Sequence, residues 1–296
     1  NLYYGGTKNT RVFGSLWHNT ILRGSSTYVD PFLINRIVNN TITATAFDSS
    51  GKPYACAIEN SDINGETWVY GFTATGGLNS TFGRTRFDQA LNAGWCQHIV
   101  VNSSAQMVVA AGFLRSRDYE AMIVKLDTNG NLIKRENLSG DTQVRSLDLF
   151  DVNDIQHYAY TTNEFDIAGG NKATVTARRL FDDDDTCQLE TVSTSSNHTL
   201  ITHAKAHHGV LWVVFFNSAQ NDIGVRRADL AGCSWLDPAI VYHPLSSTSG
   251  NKKPFYYSEI AVDAAGEHGY VYASVHEADG PSSQSPNVFV VEFKLD

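Results

Sequence analysis

Short runs of Val, Ile, Tyr, Phe and Thr alternate along the chain with clusters of Gly, Asn, Asp and Ser. Nowhere does the apolar spacing shift to the 3.6-residue period of a helix, so the pattern predicts strands joined by tight turns. One unit of strand, polar turn and strand recurs. It reads ITATAFDSSGKPYACAIE from Ile42, CQHIVVNSSAQMVVAAGF from Cys96 and RSLDLFDVNDIQHYAYTT from Arg145. It returns as ITHAKAHHGVLWVVFF from Ile201 and YSEIAVDAAGEHGYVYASV from Tyr257, the copies starting 49 to 56 residues apart. Asp48, Asn102, Asp151, His207 and Asp263 share the turn position. Asp and Asn suit it because their side chains bond the backbone two residues on.

A third strand follows each copy (TWVYGFT, AMIVKLD, ATVTARRL, IGVRRAD, VFVVEFKLD), then Gly-containing hairpin turns and a more polar fourth segment. Four antiparallel strands repeated about every 50 residues are the pattern of propeller blades. The expected fold is therefore an all-β, five-bladed β-propeller forming one domain. Its blades fall at 42–95, 96–144, 145–200, 201–256 and 257–296. The last unit lacks a fourth strand, and residues 1–14 read as the strand that closes it. Residues 15–41 are left as an elaborated loop or part of a sixth blade.

Two blades, about 90 residues, carry a family resemblance. GFTATGGLNSTFG (71–83) resembles the L-D-x-x-F-G ending of extracellular propeller repeats of bacterial surface proteins, with Asn79 in place of Asp. GFLRSRDYEAMIVKLDTNGNL (112–132) resembles the related SBBP-type repeat. The resemblance implies a propeller and an extracellular setting, and no catalytic residues. SDINGETWVYGF (61–72) looks like a sialidase Asp box, but Ile63 holds the Asp position and no R-I-P motif occurs. The shared hairpin demand for Gly65 and Trp68 accounts for the likeness.

A net charge of −9 argues against a nucleic-acid backbone or an anionic membrane surface as partner. No apolar run is long enough to span a bilayer. Asn1 is not an initiator, which suggests a processed product or fragment. Cys56, Cys96, Cys187 and Cys233 suit two disulfides, as Cys56–Cys96 between neighbouring blades and Cys187–Cys233 at equivalent fourth-strand positions. The second pair requires outer strands, which diverge, to bring their Cα atoms within about 7 Å. N-glycosylation sequons stand at Asn39, Asn79, Asn102, Asn137 and Asn197. Four map to the outer rim or adjoining loops, and Asn102 to a turn read as exposed.

The second-to-third connections read as the longer loops (59–67, 115–120, 163–172 and 276–287), on the face where binding residues concentrate. Tyr119, Phe165, Asp166, Phe255, Tyr256, His276 and Asp279 are the ligand-binding candidates there, chosen because sugar rings stack on aromatics. Alignment of the innermost strands puts Ala44, His98, Leu147, His203 and Glu259 at one equivalent position. His98, His203 and Glu259 would then converge as a metal or polar-ligand site. No cofactor is expected. Adventitious calcium is the candidate ion at the DDDD run (182–185).

The expected function is a secreted, non-catalytic glycoprotein acting in extracellular recognition of a glycan or protein. A structural subunit that assembles with its own copies is the alternative, and a polysaccharide-acting hydrolase the third reading. No nucleic-acid partner and no membrane insertion are expected.

Overall fold

The computed structural model describes residues 2–8, 11–17, 27–29, 41–59, 66–73, 79–86, 94–104, 106–115, 118–138, 140–152, 154–166, 170–180, 186–192, 199–217, 222–236, 240–242, 252–263, 266, 268–277 and 287–294. Among these every regular element is a strand, and the strands form six antiparallel sheets.

The first sheet is β1 (Leu2–Lys8), β2 (Arg11–Trp17) and β3 (Thr27–Val29). The second runs β4 (Thr41–Phe47), β5 (Pro53–Glu59), β6 (Glu66–Gly71), β7 (Arg84–Arg86). The third is β8 (Gly94–Val101), β9 (Met107–Arg115), β10 (Asp118–Leu126) and β11 (Leu132–Leu138). The fourth is β12 (Thr142–Val152), β13 (Ile155–Asp166), β14 (Gly170–Arg179) and β15 (Thr186–Val192). The fifth comprises β16 (Thr199–His207), β17 (Val210–Asn217), β18 (Asp222–Asp229) and β19 (Ser234–Trp235), with β20 (Ile240–Tyr242) also on β18. The sixth is β21 (Lys252–Val262), β22 (His268–Glu277) and β23 (Asn287–Lys294).

Each sheet is a meander in which sequence neighbours pair, the arrangement the repeats predict, except that β20 pairs with β18 in the fifth. The N-terminus differs from expectation. The repeat pattern offers residues 1–14 as one strand added to the last unit, but residues 2–17 form a hairpin, Leu2 opposite Trp17 and Lys8 opposite Arg11, within a sheet of their own. A polar turn between two alternating runs closes locally at less entropic cost than a pairing across the chain.

The turn chemistry follows the sequence closely. Asp48 Oδ1 accepts bonds from the Ser50 and Lys52 N–H groups, both at 2.9 Å. Asn102 Oδ1 accepts from Ser104 (3.0 Å) and Gln106 (2.8 Å). The same device recurs between third and fourth strands, where Asp127 Oδ1 accepts from Asn129 and Asn131. The Asn131 side-chain amide and backbone N–H together hold the Asp127 carboxyl below its ordinary range. At 79–83 Asn79 Oδ1 accepts from Thr81 (2.9 Å) and Phe82 (3.3 Å). That turn drives Phe82, 4% exposed, edge-on against Tyr54. The L-N-x-x-F-G ending is thus a device for inserting an aromatic into the core.

A second repeated feature is a register shift on the first strand of four sheets. It falls between Ile42 and Ala44, Cys96 and His98, Ile201 and His203, and Pro254 and Ser258. A bulge bends the strand and re-aims the next side chain. Its recurrence places Ala44, His98 and His203 at one structural position, immediately after the irregularity, and Glu259 follows its own by one residue.

The chain divides into two compact units, residues 1–144 and 145–296. In the first, Tyr54, Cys56, Val69, Phe82, Cys96, Met122 and Val124 form a core between the second and third sheets. Gly130, at φ +81°, lets the β10–β11 turn close on Phe82 and Thr85; an added Cβ would stand 2.6 Å from Thr85 Oγ1. In the second unit one core joins the fourth and fifth sheets, around Val175, Ile201, Leu211 and Val213. Another joins the fifth and sixth, around Trp212, Val225, Ile260 and Val271. Gly269 makes room for Trp212 there, since a Cβ would lie 2.6 Å from the indole.

Candidate functional site

Both disulfides form as the sequence pairs them. Cys56 on β5 joins Cys96 on β8 with Cα atoms 5.9 Å apart, and both residues are buried. Cys187 on β15 joins Cys233 at 5.3 Å. The divergence of outer strands is bypassed because Cys233 sits in the turn before β19, at φ 49°, and not on a strand. Each bridge links two successive sheets.

The second unit stacks its sheets in one sense. Near one end, Asn163 on β13 meets Ile201 on β16: its Nδ2 donates to the Ile201 carbonyl at 2.8 Å and its Oδ1 accepts from the Ile201 N–H at 3.0 Å. Near the other end, Asp148 Oδ2 accepts from the Ala206 N–H and from Lys205 Nζ, each at 2.8 Å. Between the fifth and sixth sheets, His203 Nδ1 accepts from the Ile260 N–H at 3.4 Å, and His207 lies against the Gly266 turn. The second-to-third hairpins of this unit therefore gather at one end, with the N-terminal half of β21.

Most of the ligand-binding candidates lie at such hairpin ends, but on strands and not in loops. Tyr119 is in β10 opposite Leu114. Phe165 and Asp166 are opposite Asn171 and Gly170, closing the β13–β14 hairpin. Phe255 and Tyr256 fall in the irregularity of β21, and His276 on β22 is opposite Lys253. Asp279 lies outside the described residues, as do Asp182 to Asp185. The loops expected at 115–120 and 163–172 shrink to links of two and three residues, because polar residues such as Asn163 continue the ladder. Asn163 itself, read as a loop residue, is fully buried.

The inner-strand set divides between the units. His98 is half-buried on β8; His203 is half-buried on β16, and Glu259 is opposite Tyr272 on the neighbouring sheet. Among the described residues no three His, Cys, Asp or Glu side chains are grouped to hold a metal ion. His203 uses Nδ1 as an acceptor for the Ile260 N–H, which ties its ring to the neighbouring sheet. The T-shaped His207–His208 pair, 4.2 Å between centroids, is turn packing.

The sequons also separate. Asn102, expected in an exposed turn, is 5% exposed, with Nδ2 bonded to Gln106 Oε1. Its side chain builds the turn from inside, which is why the turn position buries it. Asn137 is exposed on β11. Asn39 and Asn197 lie outside the described residues. Trp212 is core at 1% exposure, whereas Trp68 is half-buried under the Arg84 guanidinium, 4.3 Å from its ring centroid. Sequence reasoning overlooked Asn163 and Asp148; the available signal was a polar side chain at a position where alternation demands an inward residue.

No family model and no curated protein matches the chain. Solved structures resemble it in fold. A variant of Synechocystis apocarotenoid oxygenase matches with 9% identity and a TM-score of 0.50, over 92% of this chain and 63% of that one. The polysaccharide lyase Uly1 matches at 9% identity and 0.47, over 88% of this chain and 59% of the lyase. A thermostable family-43 glycoside hydrolase matches at 11% identity and 0.43, over 87% and 91%. The chain thus spans about three fifths of the lyase and of the oxygenase. The likeness to the oxygenase is one of fold alone, and the two lower scores carry no argument.

Proposed function

We propose that this chain is a secreted β-propeller, its six sheets serving as blades, that recognises an extracellular glycan without chemical turnover. The observation that carries the reading is the pair of inter-sheet disulfides, one in each unit. Such bridges persist in oxidising compartments. They also hold successive sheets at fixed spacing, which suits a module that presents residues from several sheet ends to one ligand. The ends that gather in the second unit carry aromatic and hydrogen-bonding residue types: Phe165, Asp166, Phe255, Tyr256 and His276. Aromatic faces suit sugar stacking, and the short hairpins keep the residues on rigid elements.

A glycan array probed with the secreted protein tests this, paired with a reducing-end assay on any polysaccharide bound. The expected result is saturable binding, lost in Phe255→Ala and Tyr256→Ala at unchanged melting temperature, with no release of reducing ends. Reducing ends would make the chain a carbohydrate-acting enzyme. A blank array together with large homogeneous assemblies in light scattering would make it a structural subunit.

A further inference from the structure

The sequons differ in what their amide groups are already doing. Attachment of an N-glycan forms a bond from Asn Nδ2 to the anomeric carbon of a lipid-linked oligosaccharide diphosphate. The lipid diphosphate leaves and one Nδ2 proton is lost. The folded protein must then have space beyond Nδ2. Asn102 has none: it is 5% exposed, its Nδ2 donates to Gln106 Oε1 at 3.0 Å, and its Oδ1 holds two turn N–H groups. A chain glycosylated there would lose the β8–β9 turn. Asn79 is half-buried, and its Oδ1 is committed to the turn that seats Phe82.

Asn137 is different. It is exposed near the end of β11, in the sequon Asn137-Leu138-Ser139. β11 is the outermost strand of its sheet and pairs only with β10 among the described strands, Asn137 standing opposite Met122. No other described strand pairs with its outer edge, and the backbone N–H and C=O groups of such an edge are the usual template for pairing with another chain. The liability is sharpened by Leu132 and Ile133, 53% and 55% exposed on the same strand. Charges at Lys134, Arg135 and Glu136 are a partial defence. A bulky, hydrated glycan rooted on that strand would complete it.

We propose that Asn137 is an N-glycan acceptor whose glycan guards the open edge of β11 against pairing with a second copy of this chain, while Asn102 stays bare. The inference rests on the secretory setting proposed above, but not on any ligand. The test is to secrete the full chain from cultured eukaryotic cells and map occupied sites by glycosidase release in heavy-oxygen water. Label at Asn137 and none at Asn102 is expected in folded, secreted material. Label at Asn39, Asn79 or Asn197 with a bare Asn137, or label at Asn102, overturns this inference alone. Five bare sequons overturn the secretory reading with it.

The guard role is read by light scattering at high concentration. Asn137→Gln, Ser139→Ala and enzymatically trimmed wild-type protein should each associate several-fold more than the untreated protein. Adding Leu132→Lys to Ser139→Ala should restore the monomer. Trimmed protein and Ser139→Ala that both stay as monomeric as the glycosylated form would eliminate the guard.

Discussion

The two units solve one problem, the joining of successive sheets, with different chemistry. In the first unit the centre of the joint is dry: Cys56–Cys96 sits among Tyr54, Phe82, Met122 and Val124, all nearly fully buried. In the second, polar side chains reach across to the next sheet's backbone. Asn163 takes both groups of Ile201, Asp148 takes the Ala206 N–H, and His203 takes the Ile260 N–H. The disulfide there is displaced outward, with Cys233 exposed. Apolar contact is non-directional and tolerates small slips. An amide that pairs with one residue's N–H and C=O fixes the register between sheets, because a slip strands both groups without partners. Hydroxyl-to-carbonyl bonds also cross the first joint, from Thr85 to Gly130 and from Ser49 to Ser103, but each uses one group, whereas the second unit adds an amide that takes both groups of one residue.

Removing each disulfide is the largest test. Each closes a loop of similar length, 40 and 46 residues apart in sequence, so the chain-entropy contribution is about 4 kcal/mol for both. The buried pair also fills core volume. Cys56→Ala with Cys96→Ala should therefore cost more, by about 1–2 kcal/mol, than Cys187→Ala with Cys233→Ala in urea denaturation. Mild reductant followed by alkylation should label Cys187 and Cys233 first. Equal losses and simultaneous labelling would erase the contrast between core and rim.

Asn163→Leu comes next. It keeps the branched outline and the heavy-atom count and removes both bonds to Ile201 at a fully buried position. The expected loss is about 2–4 kcal/mol, since two backbone groups are left unpaired. Met122→Leu, a volume-conserving change in the dry core of the first unit, should cost less than about 1.5 kcal/mol. If Asn163→Leu costs no more than Met122→Leu, the polar joint contributes nothing that packing does not.

What the sequence reveals follows the same division. The turns at Asp48 and Asn102 are legible because their bonds reach only two to four residues along the chain. The cysteine pairing is legible because aligned repeats place one sheet's strand beside the next. Asn163 is not legible: its partner is 38 residues away, and a polar residue flanked by Glu164 and Asp166 reads as a loop. Nor is the N-terminal sheet, since β3 has only three residues and leaves no periodic trace. The candidate binding residues are located by topology, but the strand ladder carrying Phe165 and Asp166 up to the hairpin is set by tertiary pairing.

The dry core of the first unit includes a titratable group. Tyr54 is 2% exposed, and its hydroxyl bonds the Asp48 carboxylate that builds the β4–β5 turn. Burial, then the Asp48 charge and that hydrogen bond, push the phenol up to about 12, from 10.0. The raised value means that the folded chain keeps its proton where the unfolded chain has lost it. This contribution is whole below pH about 10 and is lost as pH rises through about 12, for a total of at most about 3 kcal/mol. Tyr54→Phe lacks the ionisation, so the stability difference between wild type and variant should change with pH across that window, wild type losing ground. Denaturation curves taken in steps from pH 9 to 12 measure the difference directly, and titrations common to both proteins cancel. A difference that stays flat across the window would mean that water reaches the Tyr54 hydroxyl, and the first unit's joint would then be no drier than the second's.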